Sequence, residues 1–204
     1  MPYDQSAGLE GSAAQIVGVA IEVLQTKGPA HLTAREIARR AGISVSLINH
    51  HFGGKEALME QCLSRLYEAL AAEESQWRRR IEEADEARLG ELCASVAEAG
   101  YRFGCRWRPL VRYGWKRVAE RGGLPPVWRD AVQEPLLSTW GRLLAERSDF
   151  EASLVRLRLH AAVTHIARLA IASETDLHAL VGEGDIDEIV VGHVRSLGAF
   201  VCGR

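Results

Sequence analysis

The sequence predicts an all-α fold in which a small three-helix domain precedes a larger helical bundle. Three observations predict this architecture. Apolar residues recur three or four positions apart through most of the chain. Residues that start helices and residues that end them separate these segments. No segment of the sequence shows the sustained apolar–polar alternation of a strand. We therefore assign residues 1–11 to a flexible tail, 12–54 to the small domain and 55–204 to the bundle.

The composition is that of a globular protein. Of the 204 residues, 47% are apolar and 25% are charged, and the net charge is -2. No apolar run is long enough to span a bilayer. The first residues lack the basic-then-apolar pattern of a secretory signal, so we expect a cytoplasmic protein. The four cysteines show no metal-ligand spacing, and we predict neither a metal nor a cofactor.

The small domain begins with a predicted support helix. Ser12 and Gln15 have the spacing of a capping box, which places the helix start at Ser12. Gly28 and Pro29 end the helix after about Lys27. One apolar stripe marks the face that would support the next two helices, namely Ile16, Ala20, Val23 and Leu24.

Two short helices follow around a glycine turn. Thr33 and Glu36 again have capping-box spacing and predict a helix over 34–40. Gly42 stands where a helix commonly ends in the left-handed conformation. Ser44 then caps a second short helix that runs to about residue 51. This arrangement predicts a helix-turn-helix, whose second helix is placed where it can enter the major groove of DNA.

Positive charge is concentrated in this region despite the acidic net charge. Between Lys27 and Met59 the only acidic residues are Glu36 and Glu56. A local excess of cations is what a DNA-binding surface requires, although a solvated helix face is the alternative for charge alone. The cations are Lys27, Arg35, Arg39, Arg40 and Lys55.

Residues 33–58, which end in HHFGGKEAL, resemble the DNA-binding region of the TetR family of bacterial transcriptional regulators. The resemblance rests on the AGIS turn, the His51-Phe52 pair and the Gly54-Lys55-Glu56 run, and it covers roughly the first third of the chain. Asn49 departs from the family pattern, which usually has an aromatic residue there. An asparagine can bind a phosphate or read adenine with two hydrogen bonds.

The resemblance implies which residues contact DNA. Arg35 is expected at a guanine edge or a phosphate, and Val45 and Leu47 at thymine methyl groups. Leu47 has an alternative place in the core. His51 and Lys55 match phosphate contacts. The full set is Thr33, Arg35, Ser44, Val45, Ser46, Leu47, Asn49, His50, His51 and Lys55.

The bundle is predicted as a series of longer helices. The first runs from Lys55 to about Glu83 without a glycine or proline and would link the DNA reader to the rest of the chain. Further helices are predicted over 85–107, from Pro109 to the Gly122-Gly123 pair, over 127–147, over 148–173 and over 185–201. Residues 124–126 are predicted as loop. Pro135 predicts a kink near Glu134.

The resemblance also implies a ligand pocket and a dimer interface in this region. The candidate pocket residues are Tyr67, Trp107, Arg112, Trp115, Trp140, His160 and His165. Core packing is the alternative for each tryptophan. The last two long helices would form the homodimer seam through small residues, with packing inside one chain as the alternative. These small residues are Ala161, Ala162, Thr164, Ala167, Gly192, Gly198 and Ala199.

These features together predict a repressor that binds a palindromic double-stranded DNA operator as a homodimer and is released by a small-molecule effector. A DNA-binding regulator that is controlled by a protein partner is the first alternative. An enzyme is the second, and no familiar catalytic motif supports it.

Overall fold

The computed structural model describes residues 5–123 and 129–203, and all regular structure in these ranges is helical. The predicted all-α fold is therefore confirmed. Among the described helices, none has the length and hydropathy needed to cross a membrane. Contacts divide the chain into two compact units, Met1–Leu66 and Tyr67–Arg204, which we call the reader unit and the bundle unit.

The helices are α1 Gln5–Lys27, α2 Ala34–Ala41, α3 Val45–Phe52, α4 Lys55–Glu82, α5 Glu86–Arg106, α6 Arg108–Arg121, α7 Gly141–Ala145, α8 Ala152–Ile171, α9 Glu174–Val181 and α10 Ile186–Val201. A 3-10 turn, Pro29–His31, follows α1. Two π-helical segments, Arg129–Gln133 and Leu136–Trp140, precede α7.

Helix α1 begins earlier than the sequence predicted. It starts at Gln5, so residues 5–11 are helical rather than part of a tail, and the Ser12–Gln15 pair lies inside the helix. Gln15 Nε2 instead donates to the carbonyl of Ala41 at 3.0 Å, which ties α1 to the end of α2. The stripe that the sequence predicted is buried, with Ile16, Ala20, Val23 and Leu24 at most 1% exposed.

Two π-helical segments flank Pro135, the residue from which the sequence predicted a kink. Proline cannot donate a backbone hydrogen bond, and the helix around it widens rather than continuing as a regular α-helix. The predicted start at Val127 and the loop over 124–126 lie outside the described residues.

Two helix starts in the bundle unit differ from prediction. Helix α8 begins at Ala152, and Ser148 does not cap it; the Ser148 hydroxyl is buried without a hydrogen-bond partner. A helix that the sequence did not predict, α9, is capped by Ser173 and Asp176, whose side chains and backbone N–H groups bond reciprocally. Ser173 and Asp176 thus form a capping box with both hydrogen bonds present.

Helices α5, α8 and α10 form the centre of the bundle unit. Buried residues from all three pack together, among them Ala97 on α5, Ile166 on α8 and Val194 on α10. Gly198 allows α10 to approach α5 closely, because a Cβ there would lie 2.3 Å from the carbonyl oxygen of Cys93. Gly198 and the buried Ala162 thus serve packing within one chain rather than a dimer seam.

Candidate nucleic-acid interface

Side-chain caps set the start of both helices in the helix-turn-helix. The Thr33 hydroxyl accepts from the Glu36 N–H at 3.2 Å, and the Ser44 hydroxyl accepts from the Leu47 N–H at 3.2 Å. Gly42 lies between the helices at φ 67°, in the left-handed region that favours glycine. The predicted caps and turn are confirmed, and they fix the direction in which α3 leaves the turn.

The predicted capping box at Thr33 is only half formed. The Thr33 N–H donates to the His31 carbonyl at 2.9 Å, and the Glu36 carboxylate binds cations instead. Lys27 Nζ, Arg39 Nη2 and Arg40 Nε each lie 2.9 Å from Glu36 Oε1. These donors, with Arg39 first, hold the pKa of Glu36 far below its usual range.

The predicted cations differ in how free they are to bind DNA phosphate, because some of them pair with Glu36. Arg40 also binds Glu22, with 2.6 Å between Nη1 and Oε1. Lys55 donates from Nζ to the Pro29 carbonyl at 3.3 Å. The Arg35 side chain is exposed and, within the described residues, makes neither an ion pair nor a hydrogen bond. Arg35 is therefore the cation of this set that is freest to bind an external anion.

Helix α3 has one buried face and one exposed face. Ile48 is 4% exposed and anchors the helix in the reader unit. Val45, Ser46, Asn49 and His50 are exposed, and their spacing places them along one side of the helix. We call these four residues the reading face. Leu47 is half-buried, which is intermediate between the exposed DNA contact and the core position that the sequence left open.

His51 departs from the role expected of it. Its ring is half-buried between His50 and Phe52, with ring centroids 5.9 and 6.0 Å away. Its Nε2 atom is buried and has no hydrogen-bond partner. A phosphate contact through Nε2 is therefore incompatible with this conformation. Instead, the His51 ring packs at the end of α3.

A cleft of about 330 Å³ opens beside the start of α2. Its lining carries four basic side chains and one carboxylate around a helix N-terminus, where backbone N–H groups favour anions. His31 was not predicted to lie on this surface, because nothing in its spacing distinguishes it from a loop residue. The lining residues are Lys27, Ala30, His31, Thr33, Arg35, Glu36 and Arg39.

The candidate pocket residues of the bundle unit occupy several different environments. Trp140 is 3% exposed in the core, and its Nε1 donates to Glu74. Tyr67 is also buried, and Trp107 stacks on Phe103. Trp115 is 39% exposed on α6.

The polar candidates are equally dispersed. Arg112 donates from Nε to the Ile171 carbonyl at 2.8 Å and so caps the end of α8. His160 and His165 are exposed on α8, and His165 faces His193. The contacts of the described residues do not gather the seven candidates at one site.

The reader unit matches a known family model. Residues 16–62 match the model of bacterial regulatory proteins, tetR family. The chain is 36% identical over 52 residues to the HTH-type transcriptional regulator BetI 1 of Chromohalobacter salexigens. That alignment covers 26% of each protein, so the chain spans about a quarter of the length of this curated relative.

Solved structures resemble the whole chain in fold. A putative TetR-family transcriptional regulator from Mesorhizobium loti has a TM-score of 0.64 at 17% identity and covers 95% of this chain and 96% of its own. The multidrug binding protein EbrR, complexed with imidazole, has a TM-score of 0.59 at 24% identity, with 93% of each chain covered. The helix-turn-helix thus resembles the DNA-binding region of bacterial regulatory proteins of the tetR family over residues 16–62, and the chain as a whole shares the fold of these solved structures.

Proposed function

We propose that this chain is a DNA-binding transcriptional regulator that inserts α3 into the major groove. The observation that carries the proposal is the division of α3 into a buried anchor, Ile48, and an exposed reading face. A helix held from behind by its core residue can present side chains to base edges without losing its packing. A regulator working on chromosomal DNA in this way would act in the cytoplasm.

The reading face suits direct contact with bases. Asn49 can pair with adenine through two hydrogen bonds, and Val45 offers an apolar surface to thymine methyl groups. Ser46 and His50 can bond to several bases. Arg35 would bind a phosphate or a guanine from the start of α2, where the cleft already favours an anion. Ser44 and Thr33 would add phosphate contacts from the two helix starts.

A gel-shift titration tests this proposal. The full chain is added to its own promoter region at several salt concentrations. We expect a footprint over a palindrome, and affinity that falls as salt rises. Arg35→Ala should weaken binding by roughly 1–3 kcal/mol. Arg79→Ala removes an exposed arginine from α4 outside the reader unit and should change little. Equal effects of the two substitutions would count against the assignment.

We infer that two copies associate through α8 and α10. These helices expose large apolar side chains on the surface of the single chain, which is unusual unless a partner covers them. Leu157 is 65% exposed, Leu154 40%, Ile189 45% and Phe200 48%. Two such faces would make a two-fold, four-helix seam and pair two reader units on a palindrome.

Sedimentation of matched variants tests the dimer. Leu157→Glu places a charge in the inferred seam and should shift the protein toward monomer at micromolar concentration. Leu180→Glu changes a leucine that is 73% exposed on α9, outside that face, and should leave the mass unchanged. A monomeric wild type, or a dimer in both variants, would contradict the seam.

The proposed regulatory step is a change in the distance between the two reader units of a dimer. We propose that dimers with suitably spaced reader units repress by occupying the operator, and that a small molecule favours another spacing, transmitted along α4. EbrR, whose fold this chain shares, is a multidrug binding protein, which supports an effector without identifying it. Moving the equilibrium from mostly bound to mostly free needs about 5.5 kcal/mol of differential affinity.

Flat organic cations are the first effectors to test, because the bundle unit carries several aromatic side chains that can hold a cation by their ring faces. An effector must release the operator in the gel-shift assay at the concentration at which it binds the protein. Binding with unchanged operator affinity would favour the alternative in which a protein partner controls the regulator.

A further inference from the structure

We propose that His165 on α8 and His193 on α10 form a two-histidine site for a divalent transition-metal ion. The two imidazoles meet on the exposed surface of the bundle unit, with 3.2 Å between their Nε2 atoms. Helical spacing places both histidines on the faces of α8 and α10 that we infer to meet in the dimer. The site itself requires neither DNA binding nor an organic effector.

The separation of the nitrogens fits two ligands of one ion. Zinc–imidazole bonds are about 2.0–2.1 Å long, so a tetrahedral ion holds two such nitrogens about 3.4 Å apart, and a right-angled pair about 2.9 Å apart. The observed 3.2 Å lies between these values. The ring centroids are 5.2 Å apart and the ring planes differ by 80°.

Buried neighbours hold both histidines in place. Ile166 follows His165 and is 9% exposed, while Val194 follows His193 and is fully buried. Both of these neighbours pack in the core cluster that joins α8 and α10. The backbone beneath each imidazole is therefore fixed on a rigid helix, and a preorganised pair of ligands loses little freedom when an ion binds.

The donor set indicates the class of ion. Imidazole nitrogen suits zinc, copper and nickel rather than calcium or magnesium. Within the described parts of the chain, no group of three or more His, Cys, Asp or Glu side chains is arranged for a metal. Water, or a donor from a second copy, would complete the coordination. The sequence could not show this pair, because the two histidines are 28 residues apart on different helices.

A hydrogen bond between two neutral imidazoles is the competing explanation of the same contact, since one ring can donate and the other accept. That explanation predicts no saturable metal binding. The two accounts therefore differ in a measurable quantity, the affinity for an ion of the class that imidazole prefers.

Calorimetric titration with zinc chloride, in a buffer that does not chelate, tests the site. The wild-type chain should bind one ion per chain, or one ion per two chains if a second copy contributes. His165→Ala and His193→Ala should each weaken binding by at least the roughly 10- to 100-fold that loss of a supporting outer-shell group costs. His160→Ala removes another exposed histidine of α8 and should keep the wild-type affinity.

Two further readouts secure the interpretation. Affinity should fall as the pH is lowered, because protons compete with the ion for imidazole. The helical circular dichroism of all three variants should match the wild type, since each substitution lies at an exposed position. The proposal is overturned if the wild type shows no saturable binding, if either site variant retains the full affinity, or if His160→Ala loses as much affinity as they do.

Discussion

The reader unit and the bundle unit use glycine for different purposes. In the reader unit, Gly42 and Gly53 both lie at φ 67°, and an added Cβ would meet no atom within 4 Å. These glycines serve the local backbone of a turn. In the bundle unit, Gly198 is needed because α5 lies against it, with Cys93 closest. The first requirement can be recognised from neighbouring residues, whereas the second depends on a helix far away in the sequence.

The two units also use arginine differently. Arg39 and Arg40 in the reader unit surround one carboxylate, Glu36. In the bundle unit, Arg102 and Arg195 also pair with carboxylates, but Arg112 and Arg147 donate to carbonyls at helix ends, where the dipole and the unpaired carbonyls favour a cation. Arg147 donates to the carbonyls of Ile81, Glu82 and Ala84 at the C-terminal end of α4. Within the described residues, arginine therefore gathers around one carboxylate in the reader unit, whereas in the bundle unit it also binds the carbonyls at helix ends.

The largest expected loss of stability comes from adding a side chain where α10 packs closely against α5. Gly198→Ala would place a Cβ 2.3 Å from the Cys93 carbonyl oxygen, so α5 and α10 must move apart. We expect a loss of about 3 kcal/mol in the free energy of unfolding, measured with urea. Gly192→Ala, on the same helix with open space around it, should be neutral or stabilise by up to about 1 kcal/mol. Similar losses in both variants would refute the close-approach explanation.

Removing a helix-end arginine should have the next largest effect. Arg147→Ala leaves three carbonyls without their charged donor, and we expect a loss of about 2 kcal/mol in the free energy of unfolding. Arg142→Ala, an exposed arginine of α7, should cost less than about 0.5 kcal/mol. The idea that arginine closes this helix end fails if the two variants unfold at the same urea concentration.

The smallest expected effect on stability is at Glu36, and it depends on pH. Arg39, Lys27 and Arg40 lower the pKa of Glu36 from its ordinary value of 4.5. A carboxylate with a lowered pKa in the folded state stabilises that state above its ordinary pKa and loses the contribution as the pH falls. The stability difference between the wild type and Glu36→Gln should therefore shrink on acidification below 4.5.

The Glu36→Gln variant also tests whether the arginine and lysine around Glu36 face DNA. Glu36→Gln releases Lys27 and Arg39 beside the basic cleft, so affinity for DNA of any sequence should rise and depend more steeply on salt, by about one unit of slope. Glu56→Gln, an exposed carboxylate at the start of α4, is the control for a general change of net charge. An unchanged salt slope in Glu36→Gln would show that these cations do not face DNA.

Local signals explain most of what the sequence predicted correctly. The caps at Thr33, Ser44 and Asp185 each involve residues three positions apart, so their hydrogen bonds need no tertiary context. The early start of α1 and the unused box at Ser148 show the limit of the same signal. A capping pattern inside a segment competes with the packing and hydrogen bonds around it, and at both positions the pattern was not used.

Tertiary contacts explain what the sequence missed. The cations near Glu36 were predicted as one basic group. Which of them is free to bind an external anion depends on which of them reach the Glu36 carboxylate. His51 was predicted to face phosphate, and its Nε2 atom is buried. The pairing of His165 with His193 depends on how α8 and α10 pack, which no spacing along the chain encodes.

Selection of bound fragments from a genomic DNA library tests the central claim most directly. The full-length protein and an Asn49→Ala variant, which differ at one exposed position of the reading face, are compared in the same selection. If α3 reads the major groove, the wild type enriches a palindromic sequence and the variant loses preference at one base pair in each half-site. Enrichment of the same sequence with the same preference by both proteins, or of no sequence by the wild type, would contradict the account.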